Sequence, residues 1–116
     1  LRRDLPKTWQ SPTMSPHCGD EVKYGVVDRV IAHFKAAAER GEQLAGQKVR
    51  ELITVNGIRI VLEDGTWGLV RASSNKPELV VVVESPTSDE NMRAIFTEID
   101  AHLQTYPEIG AYNQKI

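Results

Sequence analysis

The sequence predicts a single α+β domain, in which two amphipathic helices cover one face of a four-stranded antiparallel sheet. In two separate segments, apolar residues recur at three- and four-residue spacing, which is typical of one side of a surface helix. Between these segments, alternating apolar and polar residues are interrupted by Asn-Gly and Asp-Gly pairs, which suit tight hairpin turns. The chain of 116 residues falls within the usual size range of one domain.

The chain is expected to begin with an irregular segment or linker over residues 1–17, because Pro6, Pro12 and Pro16 each remove a backbone donor. A short edge strand around Thr13–Cys18 is the one regular element considered there. The first helix follows from Asp20, which is expected to cap it with Glu21 in the first turn, and it ends before a glycine at position 41. Its apolar stripe comprises Val22, Val26, Val27, Val30, Ile31, Phe34 and Ala38.

The sheet is predicted from four runs of residues: Val49–Val55, Ile58–Glu63, Thr66–Ser73 and Glu78–Ser85. In the second run, the residues at 58, 60 and 62 share an apolar face while those at 59, 61 and 63 point the other way. Such alternation indicates a sheet with one covered face. The run at 79–83 is apolar on both faces, which places it centrally in the sheet.

The second helix is predicted to begin at Thr87, with Glu90 completing a capping box by reaching back to the Thr87 amide. Its core stripe comprises Met92, Ile95, Phe96, Ile99 and Leu103. Pro107 ends the helix, and residues 107–116 are expected to form a frayed tail. The folded domain is therefore predicted over residues 18–106.

Composition and charge exclude several classes of function. The net charge of −2 argues against a nucleic-acid partner, because such domains normally present a basic surface. No apolar run approaches the roughly 20 residues that span a membrane. The lone Cys18 forms no internal disulfide, so the cytoplasm is the expected location. His17, His33 and His102 are too widely spaced to predict a metal site, and no familiar catalytic motif occurs.

The segment between the last two predicted strands carries the best candidate for a binding site. Arg71 presents a rigid guanidinium fork that matches phosphate oxygens, and Lys76 adds a second cation. Ser73, Ser74 and Asn75 add neutral hydrogen-bond donors, and the amides of a tight loop can converge on an anion. These residue types are also common in ordinary turns, so composition alone leaves both readings open.

The sequence around this loop resembles a known family. The run Trp67-Gly68-Leu69-Val70-Arg71-Ala72-Ser73, followed by Pro77, is similar to the C-terminal domain of the α-D-phosphohexomutases, of the bacterial phosphomannomutase/phosphoglucomutase type. The segment Asp20-Glu21-Val22-Lys23-Tyr24 resembles the start of the helix that precedes the strands in that family. The similarity runs from about residue 12 to about residue 104, and no similarity to the family's catalytic, metal or sugar loops occurs.

The resemblance implies a TATA-box-binding-protein-like fold and a role in gripping the substrate phosphate that is not being transferred. Arg71 and Ser73 occupy the family's phosphate-binding positions. Ser74 stands where Asn or Gly is usual, Asn75 where Thr is usual, and Lys76 where the residue varies, so all five remain candidate ligands. The implied ligands are the 1-phosphates, 6-phosphates and 1,6-bisphosphates of mannose or glucose.

The resemblance also implies that other domains of the same enzyme carry the chemistry. In the family a phosphoserine lies in the first domain, a Mg²⁺ ion in the second and a sugar loop in the third. The isolated chain, expected to be a piece of a longer enzyme, should therefore hold no cofactor and no catalytic residue. Two alternatives stay open: the C-terminal domain of a phosphoglucosamine mutase, and a free-standing module that binds a small ligand or a protein.

Overall fold

The computed structural model describes residues 8–54, 57–74 and 76–112, which form two long helices and eight strands. In chain order the elements are β1 (Trp9–Gln10), β2 (Pro16–Cys18), α1 (Lys23–Glu39), β3 (Gln43–Leu44), β4 (Gln47–Ile53), β5 (Ile58–Leu62), β6 (Trp67–Ala72), β7 (Leu79–Ser85), α2 (Asp89–Leu103) and β8 (Ile109–Tyr112). The predicted α+β class and the predicted order of helices and long strands are confirmed.

The main sheet is antiparallel and has six strands over the described residues, in the order β1-β7-β6-β5-β4-β3. The prediction of four strands was therefore wrong. The four long strands β4 to β7 are the predicted ones, while β1 and β3 contribute two residues each at the two edges. Segments this short leave no alternating pattern in the sequence, so the hydrophobic periodicity contains no signal for them.

A second, two-stranded sheet pairs β2 with β8. The expected edge strand around Thr13–Cys18 is confirmed by β2, and a bridge from Met14 to Val81 attaches the same segment to the main sheet. The expectation of a frayed tail is wrong for Ile109–Tyr112, because these residues pair with β2 and Tyr112 packs against the core. The tail's pairing partner lies more than 90 positions earlier in the chain, which a local pattern does not reveal.

The helix-covered face of the sheet is built by cross-strand pairs in register. Ile58 pairs with Val70 and Val70 with Val81, and the side chains of all three are fully buried. Two residues before Val70 on the same face of β6, Gly68 lies beneath α2, where an added Cβ would meet Ile95 and Ile99. The missing side chain lets α2 pack closely on β6. Both helices therefore contribute to one continuous core, as predicted.

The predicted apolar stripe of α1 is confirmed over its central turns, where Val26, Val30 and Phe34 are buried. Its ends differ, because Val22 lies before the helix and is exposed, and Ala37 is buried while Ala38 is partly exposed.

The predicted start of the helix is also wrong. Val22 occupies the N-cap position without a side-chain hydrogen bond, and no acidic residue lies in the first turn. The carboxylate of Asp20 accepts a hydrogen bond from Lys23 Nζ at 2.8 Å. Because this carboxylate is paired with Lys23, it does not accept from the amides at the helix start. The backbone amides of residues 22 and 23 donate to the carbonyl of Gly19 instead.

The start of α2 also differs from the prediction by one residue. Ser88 is the N-cap, and its hydroxyl accepts from the Asn91 amide at 3.0 Å. The hydroxyl of Thr87, predicted to be the cap, instead donates to Asp64 Oδ2 at 2.6 Å. Asp64 also accepts from the Thr66 amide at 2.8 Å and from Asn91 Nδ2 at 2.9 Å. This carboxylate thus links the β5–β6 turn to the start of α2.

No helix among residues 8–54, 57–74 and 76–112 is both long enough and apolar enough to cross a membrane.

Candidate functional site

The predicted phosphate loop lies at the end of the β6–β7 hairpin. Arg71 pairs with Val80 and Ala72 with Leu79, so these are the last two registered pairs before the loop. The Ser73 amide then donates to the carbonyl of Glu78 at 3.0 Å and closes the loop at its base. A rigid hairpin therefore fixes both ends of the segment that the sequence singled out.

The predicted ligands differ in exposure along this loop. Arg71 and Ser73 are half-buried, whereas Ser74 and Lys76 are exposed. Asn75 lies outside the described residues, so its predicted part stays a prediction. Arg71 and Ser74 line the same cavity, which Ser73 and Lys76 do not.

The cavity beside the loop has a volume of about 610 Å³, which is within the range of small-molecule sites. Three parts of the fold meet there: the first half of α1, the end of the β4–β5 hairpin and the end of β6. The lining residues are Tyr24, Val27, Asp28, Ile31, Thr54, Gly57, Arg71, Ala72 and Ser74. The α1 side of this cavity was not predicted, because helical periodicity shows which positions face the core and not which cavity the others border.

Among the described residues that line the cavity, Arg71 is the one with a cationic side chain. Its Nη1 donates to the carbonyl of Ala72 at 3.4 Å, which is a long and weak hydrogen bond. It forms no ion pair with any residue in the described part of the chain. A half-buried guanidinium with most of its five donors available is suited to bind an anion.

Gly57 allows the β4–β5 hairpin to approach Arg71 closely. Its φ of +134° is unfavourable for other residues, and a Cβ there would collide with the Val70 carbonyl and with Arg71 itself. The sequence predicted a glycine-containing turn at this place, although its neighbour Asn56 lies outside the described residues. The glycine therefore brings the hairpin end into the wall of the cavity.

The exit of the loop is fastened from outside the hairpin. The carbonyl of Pro77 accepts from the Cys18 amide at 2.8 Å, and the carbonyl of Lys76 accepts from the Glu78 amide at 2.8 Å. Lys76 O also accepts from Lys23 Nζ at 3.0 Å. Lys23 was identified from the sequence only as part of the helix start, and its contact with the loop was missed.

A signal for Lys23 does exist in the sequence. It precedes Val26 by three residues and Val27 by four, which continues the apolar stripe of α1 by one turn towards the helix start. A charged residue at such a position is expected to be buried and therefore to have specific partners.

His17 and Cys18 are neighbours on β2, where successive side chains alternate between the two sides of the strand. His17 is exposed while Cys18 is fully buried, so the two side chains leave the strand on opposite sides. Burial raises the pKa of the Cys18 thiol, with a smaller contribution in the same direction from Glu108. A thiol in this environment is a poor nucleophile.

The other two histidines lie together between the helices, away from the loop. The rings of His33 and His102 stack with their centroids 3.6 Å apart, and His102 Nε2 lies 2.7 Å from the Tyr106 hydroxyl. Burial, with a further contribution from His33, lowers the pKa of His102 to about 4. Over the described ranges, no three His, Cys, Asp or Glu side chains are grouped so that they could hold a metal ion.

The comparisons with known proteins agree with one another. Residues 22–102 match the family model described as "Phosphoglucomutase/phosphomannomutase, C-terminal domain". The chain is 41% identical over 87 residues to a phosphopentomutase of Thermococcus kodakarensis, an alignment that covers 75% of this chain and 18% of that protein. It is 33% identical over 87 residues to a probable phosphoglucosamine mutase of Methanothermobacter thermautotrophicus, covering 75% of this chain and 17% of the relative.

A solved structure of a phosphoglucomutase/phosphomannomutase family protein from Burkholderia thailandensis is similar in fold. The TM-score is 0.63 and the sequence identity 22%, and the match covers 87% of this chain and 18% of that one. The chain thus spans less than a fifth of the length of the proteins that it matches here.

Proposed function

We propose that this chain, which belongs to the phosphohexomutase family and matches the C-terminal domain of its members, holds one phosphate group of a phosphorylated sugar. The observation that carries the proposal is the position of Arg71. Its guanidinium group borders a cavity of about 610 Å³ and has one weak hydrogen bond to the protein. The cation is therefore available to a ligand in that cavity.

The chemistry of the loop suits a phosphate dianion. A guanidinium group can donate two parallel hydrogen bonds to phosphate oxygens, and Ser74 offers a hydroxyl donor in the same cavity. Ser73, Asn75 and Lys76 complete the set of proposed ligands. We propose that the loop holds the phosphate that stays in place, as the family resemblance implies.

The proposed substrates are hexose phosphates and bisphosphates, of mannose or glucose. A second candidate is a pentose phosphate, because the relative that is 41% identical is named a phosphopentomutase. A phosphoglucosamine substrate is supported in the same way by the relative at 33% identity. The residues proposed here contact the phosphate group, which these sugars share, so we infer that sugar identity is recognised elsewhere in the full-length enzyme.

The catalytic steps belong to other domains under this proposal. Phosphoryl transfer requires a positioned donor, a metal ion and charge stabilisation acting together. We propose that Mg²⁺ and the phosphorylated serine are supplied by other domains of the same cytoplasmic enzyme, and that these domains are the chain's principal partners. The isolated chain is then expected to bind phosphate without converting a sugar phosphate.

The experiment that tests the proposal compares two arginine variants in a titration with inorganic phosphate, then with glucose 1,6-bisphosphate. Arg71→Ala should weaken binding by about 10- to 100-fold, as expected for the loss of a bidentate charge-assisted pair. Arg50→Ala is the matched control, because Arg50 is exposed on β4 and does not line the cavity. Ionic strength is held constant so that general screening is the same throughout.

Equal affinity of both variants and the parent chain would contradict the proposal. Thermal unfolding of Arg71→Ala checks that the fold survives. It should, since the hydrogen bond that the arginine makes within the described part of the chain is weak.

A further inference from the structure

Lys23 is a buried cation at the first position of α1. Only 3% of the residue is exposed, although Asp20, its ion-pair partner, has a side chain that is 67% exposed. Moving an ammonium group out of water is unfavourable unless hydrogen bonds replace its hydration. The protein supplies two acceptors, Asp20 Oδ1 at 2.8 Å and the carbonyl of Lys76 at 3.0 Å.

The second of these acceptors belongs to the phosphate loop. Lys76 O already accepts from the Glu78 amide at 2.8 Å and so closes a three-residue turn at the loop exit. Lys23 Nζ supplies a second donor to the same carbonyl, which occupies both of its lone pairs. The contact spans 53 positions of sequence and joins the start of α1 to the loop.

The hydrogen bond from Lys23 to the loop is not needed for the packing of α1. The helix is held on the sheet by its apolar residues, among them Val26 and Val30, which are fully buried. An uncharged side chain of similar length at position 23 would fill the same space without the unfavourable desolvation of a charge. The specific consequence of lysine here is therefore the fixed position of the Lys76 carbonyl.

We propose that Lys23 is a positioning residue for the phosphate loop, an inference that rests on the proposed phosphate-binding function. Holding Lys76 O fixes the backbone at the loop exit, from Lys76 to Glu78, before a ligand arrives. A loop ordered in advance loses less conformational entropy on binding, so the same contacts give a higher affinity. Lys23 itself does not contact phosphate, because its amine is directed to Asp20 and Lys76.

The test replaces Lys23 in the same chain and uses inorganic phosphate as the probe. Lys23→Met removes both hydrogen bonds and should raise the phosphate Kd by about 3- to 10-fold. Lys23→Gln retains one donor and should give an intermediate Kd, which also provides a measurable variant if Lys23→Met does not fold. In both variants, exchange of the Glu78 amide proton should accelerate, since that amide shares its acceptor with Lys23.

A matched control separates positioning from general destabilisation. Val26→Ala removes buried volume from the same helix at a residue that does not line the cavity. It should lower the unfolding midpoint while leaving the phosphate Kd and the exchange of the Glu78 amide unchanged. An unchanged Kd in Lys23→Met, or an equal rise in Val26→Ala, would overturn the inference.

The proposed function and this inference fail in different ways. If the parent chain shows no phosphate-dependent change at residues 71–78, the proposed function fails. The exchange of the Glu78 amide then still tests whether Lys23 orders the loop. Faster exchange in Lys23→Met supports that role, and unchanged exchange contradicts it.

Discussion

Asp64 is the residue whose replacement gives the most specific stability prediction. Its carboxylate accepts hydrogen bonds from the Thr66 amide, the Thr87 hydroxyl and the Asn91 side-chain amide, at 2.6 to 2.9 Å. Burial raises the pKa of this carboxyl, but the three donors together outweigh burial and hold the pKa well below its ordinary value of 3.8. The charged form is therefore favoured in the folded state.

Asp64→Asn should destabilise the protein at pH 7 by about 2 kcal/mol. The substitution turns one charge-assisted acceptor into a donor that faces Thr87 and Asn91, and hydrogen bonds to a charged group contribute about 1.5–3 kcal/mol each. For the loss of both hydrogen bonds together we use the lower part of that range, because Asp64 is partly exposed and solvent screens its charge.

The pH dependence has a definite sign. A carboxyl whose folded-state pKa lies below its unfolded value stabilises the fold above about pH 4, and that stability is lost as the pH falls further. Between pH 7 and pH 3 the parent chain should lose about 1 kcal/mol through Asp64, as calculated from the ordinary pKa of 3.8. The Asn variant has no carboxyl there and lacks this loss.

Urea unfolding of both chains at pH 7 and pH 3 measures both effects. The difference between parent and variant should shrink by about 1 kcal/mol on acidification. Asp89 is a suitable control position. Its carboxylate lies at the start of α2, close in sequence to the residues that donate to Asp64, but it pairs with exposed Arg93 instead. A difference below about 0.5 kcal/mol at pH 7, or one that does not change with pH, would refute the role given to Asp64.

Two further predictions concern the core between the helices and the sheet. Because the folded-state pKa of His102 is about 4 and the ordinary value is 6.5, the parent chain should lose about 1–2 kcal/mol of stability between pH 7 and pH 5. His102→Gln should flatten this slope in urea titrations, and an unchanged slope would contradict the assignment. Gly68→Ala should destabilise by about 1–3 kcal/mol, because the new methyl group would collide with Ile99. Combining it with Ile99→Val removes the colliding atom and should recover part of the loss; strictly additive effects in chemical denaturation would argue against this clash.

The long elements of the fold were predictable because each is specified by its own residues. The stripe of α1 and the alternation in β5 repeat over several residues, so the period can be read locally. The two-residue strand β1 and the final strand β8 depend on partners far away in sequence, and their own residues do not determine that pairing. Local sequence patterns therefore predicted the long central strands and did not predict the short edge strands.

Some residues of the candidate site were likewise predictable from the sequence and others were not. Arg71 and the serines were predicted from residue type and the neighbouring strand sequence, and the structure places Arg71 and Ser74 at the cavity, while phosphate binding by these residues stays a prediction. The buried amine of Lys23 and the cavity wall formed by α1 were not predicted, since they depend on where the helix start lies relative to the loop. The two N-cap predictions failed because each side chain has another partner: Thr87 donates to Asp64, which is distant in sequence, and Asp20 accepts from Lys23, three residues along the chain.

The most direct test of phosphate binding by this domain is an amide NMR titration of the parent chain with inorganic phosphate at constant ionic strength. We predict that the largest shifts occur at Arg71, Ser73 and Ser74, with smaller ones in the first turn of α1 beside the cavity. Shifts confined to another surface, with the loop between β6 and β7 unchanged at saturating phosphate, would contradict the assignment.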